Sequence, residues 1–189
     1  MHRPALVVII NGYATSGKDS FINFLIEANQ KLQNRIQIHN VTSIKPAMMA
    51  AKHLAPEDEI KRKTPEYRKL LSNIKSISDD IFDTSFNYIK RQVMYNIRRC
   101  STKNNMIFVH IREAKNIKQA VDYYREQSRI GITTLLVDRE FENLDHCDNK
   151  SDLDVPNYKY DFIIPSCKLE DLKKEATKCL PELIKKYPV

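Results

Sequence analysis

Glycine is nearly missing from this chain: three in 189 residues, at positions 12, 17 and 131. A sequence this poor in glycine keeps it where backbone geometry demands it. The four cysteines, Cys100, Cys147, Cys167 and Cys179, are far apart and form no C-x-x-C pair. That spacing argues against a zinc site or a disulfide framework and predicts idle thiols in a reducing, cytoplasmic setting. No apolar run approaches the ~18 residues of a membrane span. The opening "MHRPALVVIING" has no long apolar stretch followed by a small-residue cleavage site, so it does not read as a signal peptide. No internal repeat and no low-complexity linker is visible. A zinc-finger pattern and an aromatic RNA-binding motif are also lacking, and the basic residues are dispersed. The net charge of +7 therefore predicts solvated helix faces or a nucleotide ligand, and not a nucleic-acid partner.

What is present alternates between two periodicities. "ALVVII" (5–10) is a continuous, β-branched apolar run, the pattern of a buried parallel strand. Phe21, Phe24, Leu25, Ala28 and Leu32 then recur at helical spacing. Further strands are expected at 35–42, 106–111, 133–138 and 161–165. Helices are expected at 45–55, from Thr64-Pro65-Glu66 onward, from a cap at Asp83 or Thr84, at 116–128 up to Gly131, and at 169–187 with a bend or break at Pro181. Strands alternating with helices predict a three-layer α/β sandwich around a five-stranded parallel sheet. The chain fits a single domain over 1–189, with a charged helical insertion at about 45–100 and a polar, acidic segment at about 140–160 suited to a lid. "DHCDNKSDLD" (145–154) lacks the central Gly and closing Glu of an EF-hand, which leaves the lid as the better reading.

Ligands of parallel sheets bind at the carboxyl ends of the strands. The first such end carries "NGYATSGKDS" (11–20). Gly12, Gly17 and Lys18 match a phosphate-binding loop of Gly, four free residues, Gly, Lys and a hydroxyl residue. Asp19 takes the hydroxyl's place and Ser20 comes one position late. Successive backbone amides from Gly12, Tyr13, Ala14, Thr15, Ser16 and Gly17 would curl around phosphate oxygens. Lys18 adds a point charge, and the following helix adds its positive end. A carboxylate at Asp19 is a hard oxygen ligand suited to Mg²⁺; alternatively it complements the helix dipole and Ser20 does the hydroxyl's work. Arg112 and Arg139 follow apolar strands at the same edge, where guanidinium groups can neutralise a moving phosphoryl group or grip an acceptor phosphate. Lys45, after the second strand, and Arg68, on the insertion, are candidates for holding the acceptor.

"GYATSGKDS" resembles the Gly-Lys-Asp loop of two groups of P-loop kinases, the phage deoxynucleoside monophosphate kinases and the animal-type phosphomevalonate kinases. "FVHIREAKNI" (108–117) resembles their strand-end segment reading Asp, apolar, Arg and then a helix, with Arg112 on the family arginine. "DHCDNKSDLDV" followed by "YDFIIPS" resembles their late segment, where His146, Ser151 and Asp152 would match. The resemblance implies a nucleoside-monophosphate-kinase-like fold with ATP and Mg²⁺ as cofactors. It also implies phosphoryl transfer to a small phosphorylated acceptor, with Lys18, Asp19, Arg112 and Arg139 doing the chemistry. His110 departs from it by standing where the family has Asp. That departure keeps open a second reading, a nucleotide-binding regulator without turnover.

Overall fold

The computed structural model describes residues 5–13, 15–32, 36–62, 64–99, 104–138, 154–165 and 168–187. Five strands form one sheet: β1 (Ala5–Asn11), β2 (Ile36–Thr42), β3 (Asn104–His110), β4 (Ile130–Asp138) and β5 (Phe162–Pro165). Their order is β2-β3-β1-β4-β5 and every pairing is parallel. Seven α-helices lie among the described residues. They are α1 (Lys18–Lys31), α2 (Lys45–Ala51), α3 (Glu57–Arg62), α4 (Pro65–Phe82), α5 (Thr84–Arg99), α6 (Ala114–Arg125) and α7 (Leu169–Ile184). The five-stranded parallel sheet between helical layers is the architecture that the sequence pattern predicts.

β1 shows why the run is apolar throughout. It is central, and its residues alternate between two cores. Val7 and Ile9 face the layer of α5 and α6, where Ile89, Val93, Ile117, Val121 and Tyr124 pack. Leu6, Val8 and Ile10 face α1 and α7, against Phe21, Leu25, Leu172 and Leu180. A strand buried on both faces has no solvent side to mark with polar residues. The chain moves from β1 to β2 in one direction across the sheet and from β3 to β4 in the other. Right-handed crossovers then put α1 and α6 on opposite faces. The crevice between those diverging connections opens at the carboxyl end of β1, where the Gly12–Gly17 loop sits.

Several local details differ from the sequence expectations, each for a physical reason. Thr64 does cap α4, with Oγ1 accepting from Tyr67 N at 3.3 Å. Asp83, however, closes α4 in a left-handed conformation (φ 51°). The start of α5 is capped from the previous helix, by Asp79 Oδ1 accepting from Ser85 N at 2.7 Å. Gly131 does not end a helix: it lies inside β4 opposite Leu6, and the turn after Arg125 ends α6. Pro181 does not break α7, which runs on to Ile184. β5 is short, and Asp161 just before it fixes its position. Its Oδ2 accepts from Thr133 Oγ1 at 3.0 Å and Thr134 N at 2.8 Å. Cys179 is a buried core thiol whose pKa burial pushes up to about 12, so it is inert. Cys100, Cys147 and Cys167 lie outside the described residues, as does the segment 139–153 that holds most of the expected lid.

Candidate active site

The loop is shaped by its two glycines. Gly12 has φ 147°, and a Cβ there would meet Ser16 Oγ at 2.6 Å and the Val137 carbonyl oxygen at still closer range. Gly17 adopts φ 91° in the position before α1. Thr15 shares the positive-φ character at φ 62°. Ser16 N donates to Tyr13 O at 3.2 Å, which closes the turn. Gly17 offers no side chain to cap α1, and no side-chain cap is made. The first amides of a 14-residue helix are thereby left facing the loop, the arrangement that receives an anion. Lys18 reaches back over it: Nζ donates to Gly12 O at 2.6 Å, Tyr13 O at 2.7 Å and Ser16 Oγ at 3.3 Å. An arriving phosphate would take over bonds that the ammonium now makes to carbonyls. Ala14 lies outside the described residues.

The neighbouring strand ends close on this loop. Ile10 is in register with His110 at the end of β3, and Thr42 at the end of β2 with the same residue. Asp19, in the first turn of α1, is 86% exposed and places Oδ1 3.9 Å from His110 Nε2. Burial, opposed by Asp19 and reinforced by Lys18 and Arg112, pulls the His110 pKa down to about 4. The imidazole is thus neutral near pH 7, and its contact with Asp19 is not an ion pair there. His110 Nε2 is buried without a hydrogen-bond partner among the described residues. Such an atom costs about 1–3 kcal/mol, and orphaned polar atoms of this kind concentrate where a ligand or reaction uses them. Arg112 is two residues on, in the segment between β3 and α6, and its charge is felt at His110. Loop, Asp19, His110 and Arg112 therefore share one edge of the sheet.

Three residues that sequence reasoning missed hold this edge together. Asn11 is fully buried at the end of β1. Its Oδ1 accepts from Gly12 N at 2.8 Å, and its Nδ2 donates to Arg112 O at 3.1 Å and to Tyr160 Oη at 2.6 Å. Tyr160 donates in turn to Val155 O at 3.0 Å, and burial pushes its pKa up to about 12. Asp154 Oδ2 accepts from Ala114 N, the first amide of α6, at 2.6 Å. A polar residue closing an apolar strand just before a loop glycine is a signal that could have flagged Asn11. Tyr160 and Asp154 come from about 150 and 40 positions away from their partners, and no local pattern marks them. Glu113, beside Arg112, is engaged by Lys75 at 2.8 Å, and Lys75 also reaches Asp79 at 3.2 Å.

Other candidates stand apart. Lys45 is the first residue of α2 and exposed, next to the β2 end that Ser43 N ties to His110 O at 3.2 Å. Arg68 is exposed near the start of α4, with no bond of its side chain to the loop among the described residues. Ser20 is half-buried in the first turn of α1. Arg139, His146, Ser151 and Asp152 lie outside the described residues. No group of three or more His, Cys, Asp or Glu able to hold a metal occurs among the described residues. The Asp19 carboxylate is of the kind Mg²⁺ takes, one or two at a time, with substrate phosphates and water completing its shell. A groove of about 1090 Å³ lies along α5 and has no loop residue in its walls. A phosphate cradle is a surface of convergent amides and does not need a deep cavity.

No protein-family model matches the chain, and no curated protein sequence does. Solved structures do share the architecture. The crystal structure of APE1195 superposes with a TM-score of 0.54 at 14% identity, over 96% of this chain and 98% of that one. A mutant of the Mycobacterium tuberculosis APS kinase CysC covers 96% of this chain and 99% of its own at 8% identity. Its TM-score of 0.49 leaves that likeness without weight here. At such identities the agreement with APE1195 speaks for the fold alone. Among the described residues no helix is long and apolar enough to cross a membrane.

Proposed function

We propose that this chain is an ATP-dependent kinase that passes the γ-phosphoryl group to a small phosphorylated acceptor, with a nucleoside or deoxynucleoside monophosphate as the first candidate. The observation that carries the proposal is the Gly12–Ser20 segment. It is a strand-to-helix loop with two positive-φ glycines, an uncapped helix start and the Lys18 ammonium held over its backbone. In this reading the loop amides and Lys18 bind the β- and γ-phosphates of the donor. Phosphoryl transfer asks the protein for positioning and charge stabilisation more than for covalent chemistry. Mg²⁺ bound through Asp19 would supply neutralisation of the donor phosphates. Arg112 grips the acceptor phosphate. Asn11 keeps the Arg112 segment and the loop in fixed register through its bonds to both. His110, neutral and with a free Nε2 beside Asp19, is placed to take a proton from an acceptor or to orient a water. The four helices of residues 45–99 form the acceptor-side insertion, with Lys45 and Arg68 as its candidate contacts. Arg139, outside the described residues, is the candidate for neutralising the moving phosphoryl group.

A second reading, nucleotide binding without turnover, is favoured by one observation: a neutral imidazole ends β3 where the resembling kinases have an acid. A phosphomevalonate-type acceptor is a third possibility that differs only in the acceptor. The test is ATP consumption against a panel of nucleoside monophosphates and other small phosphates, for wild type, Lys18→Ala and Arg112→Lys. Lys18→Ala is expected to abolish ATP binding by calorimetry. Arg112→Lys keeps the charge but loses the bidentate fork. It should cost on the order of 1–3 kcal/mol in kcat/KM with ATP affinity nearly unchanged. If no acceptor raises consumption above the acceptor-free rate, the regulator reading replaces the kinase.

A further inference from the structure

A groove of about 1090 Å³ runs along α5, with Phe82 of α4 and Tyr123 of α6 also in its walls. None of its lining residues comes from the loop or from the end of β3. Its charge is one-sided. Lys90, Arg91, Arg98 and Arg99 line it, and the sequence of α5, "TSFNYIKRQVMYNIRR", contains no Asp or Glu. More than half of the chain's net charge of +7 thus sits on one helix. No ion pair neutralises any of the four among the described residues. Lys90 is held 4.6 Å from the Phe86 ring centroid and 5.4 Å from that of Tyr123.

Apolar rings interleave with the cations. Phe82 is 70% exposed and Tyr95 55%, and both line the groove together with Met94 and Tyr123. Large rings left in water are a cost unless something covers them. Arg91 and Arg98 are seven positions apart, about two turns and 10 Å along the helix, so they share a face, and Lys90 and Arg99 flank them along the same groove. The sequence expectation against a nucleic-acid partner rested on dispersed basic residues, and folding gathers these four onto a single surface.

We propose that this face of α5 binds single-stranded nucleic acid, with phosphates on the two basic pairs and bases stacked on Phe82 and Tyr95. A positively charged track with exposed rings beside it is how proteins hold single strands without reading sequence, since every base has a π-face. An acidic peptide would use the cations but leave the rings without planar partners. A mononucleotide would occupy only one of the two basic pairs. The proposal is independent of the nucleotide loop, none of whose residues lines the groove.

The test is fluorescence anisotropy of the full chain with labelled 15-mers of oligo-dT and oligo-U, which separates DNA from RNA as the strand. Four neutralised phosphates imply a fall in affinity of about 50-fold between 50 and 200 mM salt for a single strand. Arg98→Gln with Arg99→Gln should reduce that fall to about sevenfold. Phe82→Ala with Tyr95→Ala should weaken binding at fixed salt by at least about fivefold. These side chains are exposed, so folding (checked by circular dichroism) and ATP affinity should be unchanged. Absence of binding at 50 mM salt overturns the proposal, as does wild-type affinity in both double variants. Displacement of the strand by polyglutamate at equal charge also overturns it and gives the groove to an acidic protein. Tighter binding of a duplex of the same length overturns it equally.

Discussion

The neutral His110 makes the stability of this protein depend on pH in a defined window. The ring is buried between Lys18, Asp19 and Arg112, and its pKa falls from 6.5 to about 4, first because burial disfavours the imidazolium. In the unfolded chain it titrates near 6.5. Between these values the unfolded state binds a proton that the folded state refuses, so stability falls as pH falls. Above about pH 6.5 neither state is protonated there and the full stability is present. Below about pH 4 both are protonated and the loss is complete. At about 1.4 kcal/mol for each tenfold change in proton affinity, the gap corresponds to about 3 kcal/mol. Other groups titrate in the same range, among them His39, whose pKa burial also lowers. The comparison is therefore between wild type and His110→Gln, which share every other group.

Urea unfolding at steps from pH 4 to 8 should show the wild type losing up to about 3 kcal/mol more than His110→Gln, with the difference flat above pH 6.5. The His110 ring resonances should stay those of the neutral form down to about pH 4. ATP adds a further step. Phosphate charge beside the ring favours imidazolium, so saturating nucleotide should raise the titration midpoint. Parallel stability curves for the two proteins, or a ring that titrates near 6.5, would refute the burial argument and with it the picture of His110 as a neutral group facing the loop.

Two other substitutions probe the loop itself. Gly12→Ala places a methyl group 2.6 Å from Ser16 Oγ, against the fixed Val137 carbonyl, at φ 147°. Overpacking and backbone strain together should cost about 2–4 kcal/mol in urea unfolding and remove ATP binding, and an unchanged midpoint would contradict the loop geometry. Asp19→Asn should weaken Mg²⁺-dependent ATP binding more than Ser20→Ala does, measured by calorimetry with and without the metal, while the reverse ranking would assign the metal to Ser20.

What the sequence discloses depends on how far each feature reaches along the chain. The cores of strands β1 and β3 are buried on both faces, so their burial is written as continuous apolar runs. The Gly12-to-Lys18 spacing is a local backbone requirement and is legible for the same reason. Thr64 capping α4 is equally local. The cap of α5 by Asp79 and the anchoring of Asn11 by Tyr160 are tertiary, because the partner comes from another element. Gly131 misled because a glycine at a helix end and a glycine in a strand look alike without the register that pairs it with Leu6. The basic face of α5 was illegible for a related reason. Its four cations fall two and two along the sequence, and the groove that joins them takes walls from Phe82 of α4 and Tyr123 of α6.

The same distinction bears on the missing acid. Read along the chain, His110 in place of Asp suggests a site stripped of its carboxylate, and Asp19 looks like an oddity next to Lys18. In space the two are one feature, 3.9 Å apart across the carboxyl edge of the sheet. A carboxylate supplied from the first turn of α1 reaches the region that an acid ending β3 would serve, and the imidazole takes the strand position without adding charge. The chain thus keeps the carboxylate on α1 and carries at the β3 end an imidazole, a group that can exchange a proton. Whether that arrangement turns over is what the acceptor panel decides. The placement itself explains why Asp19 and His110 must be read, and mutated, as a pair.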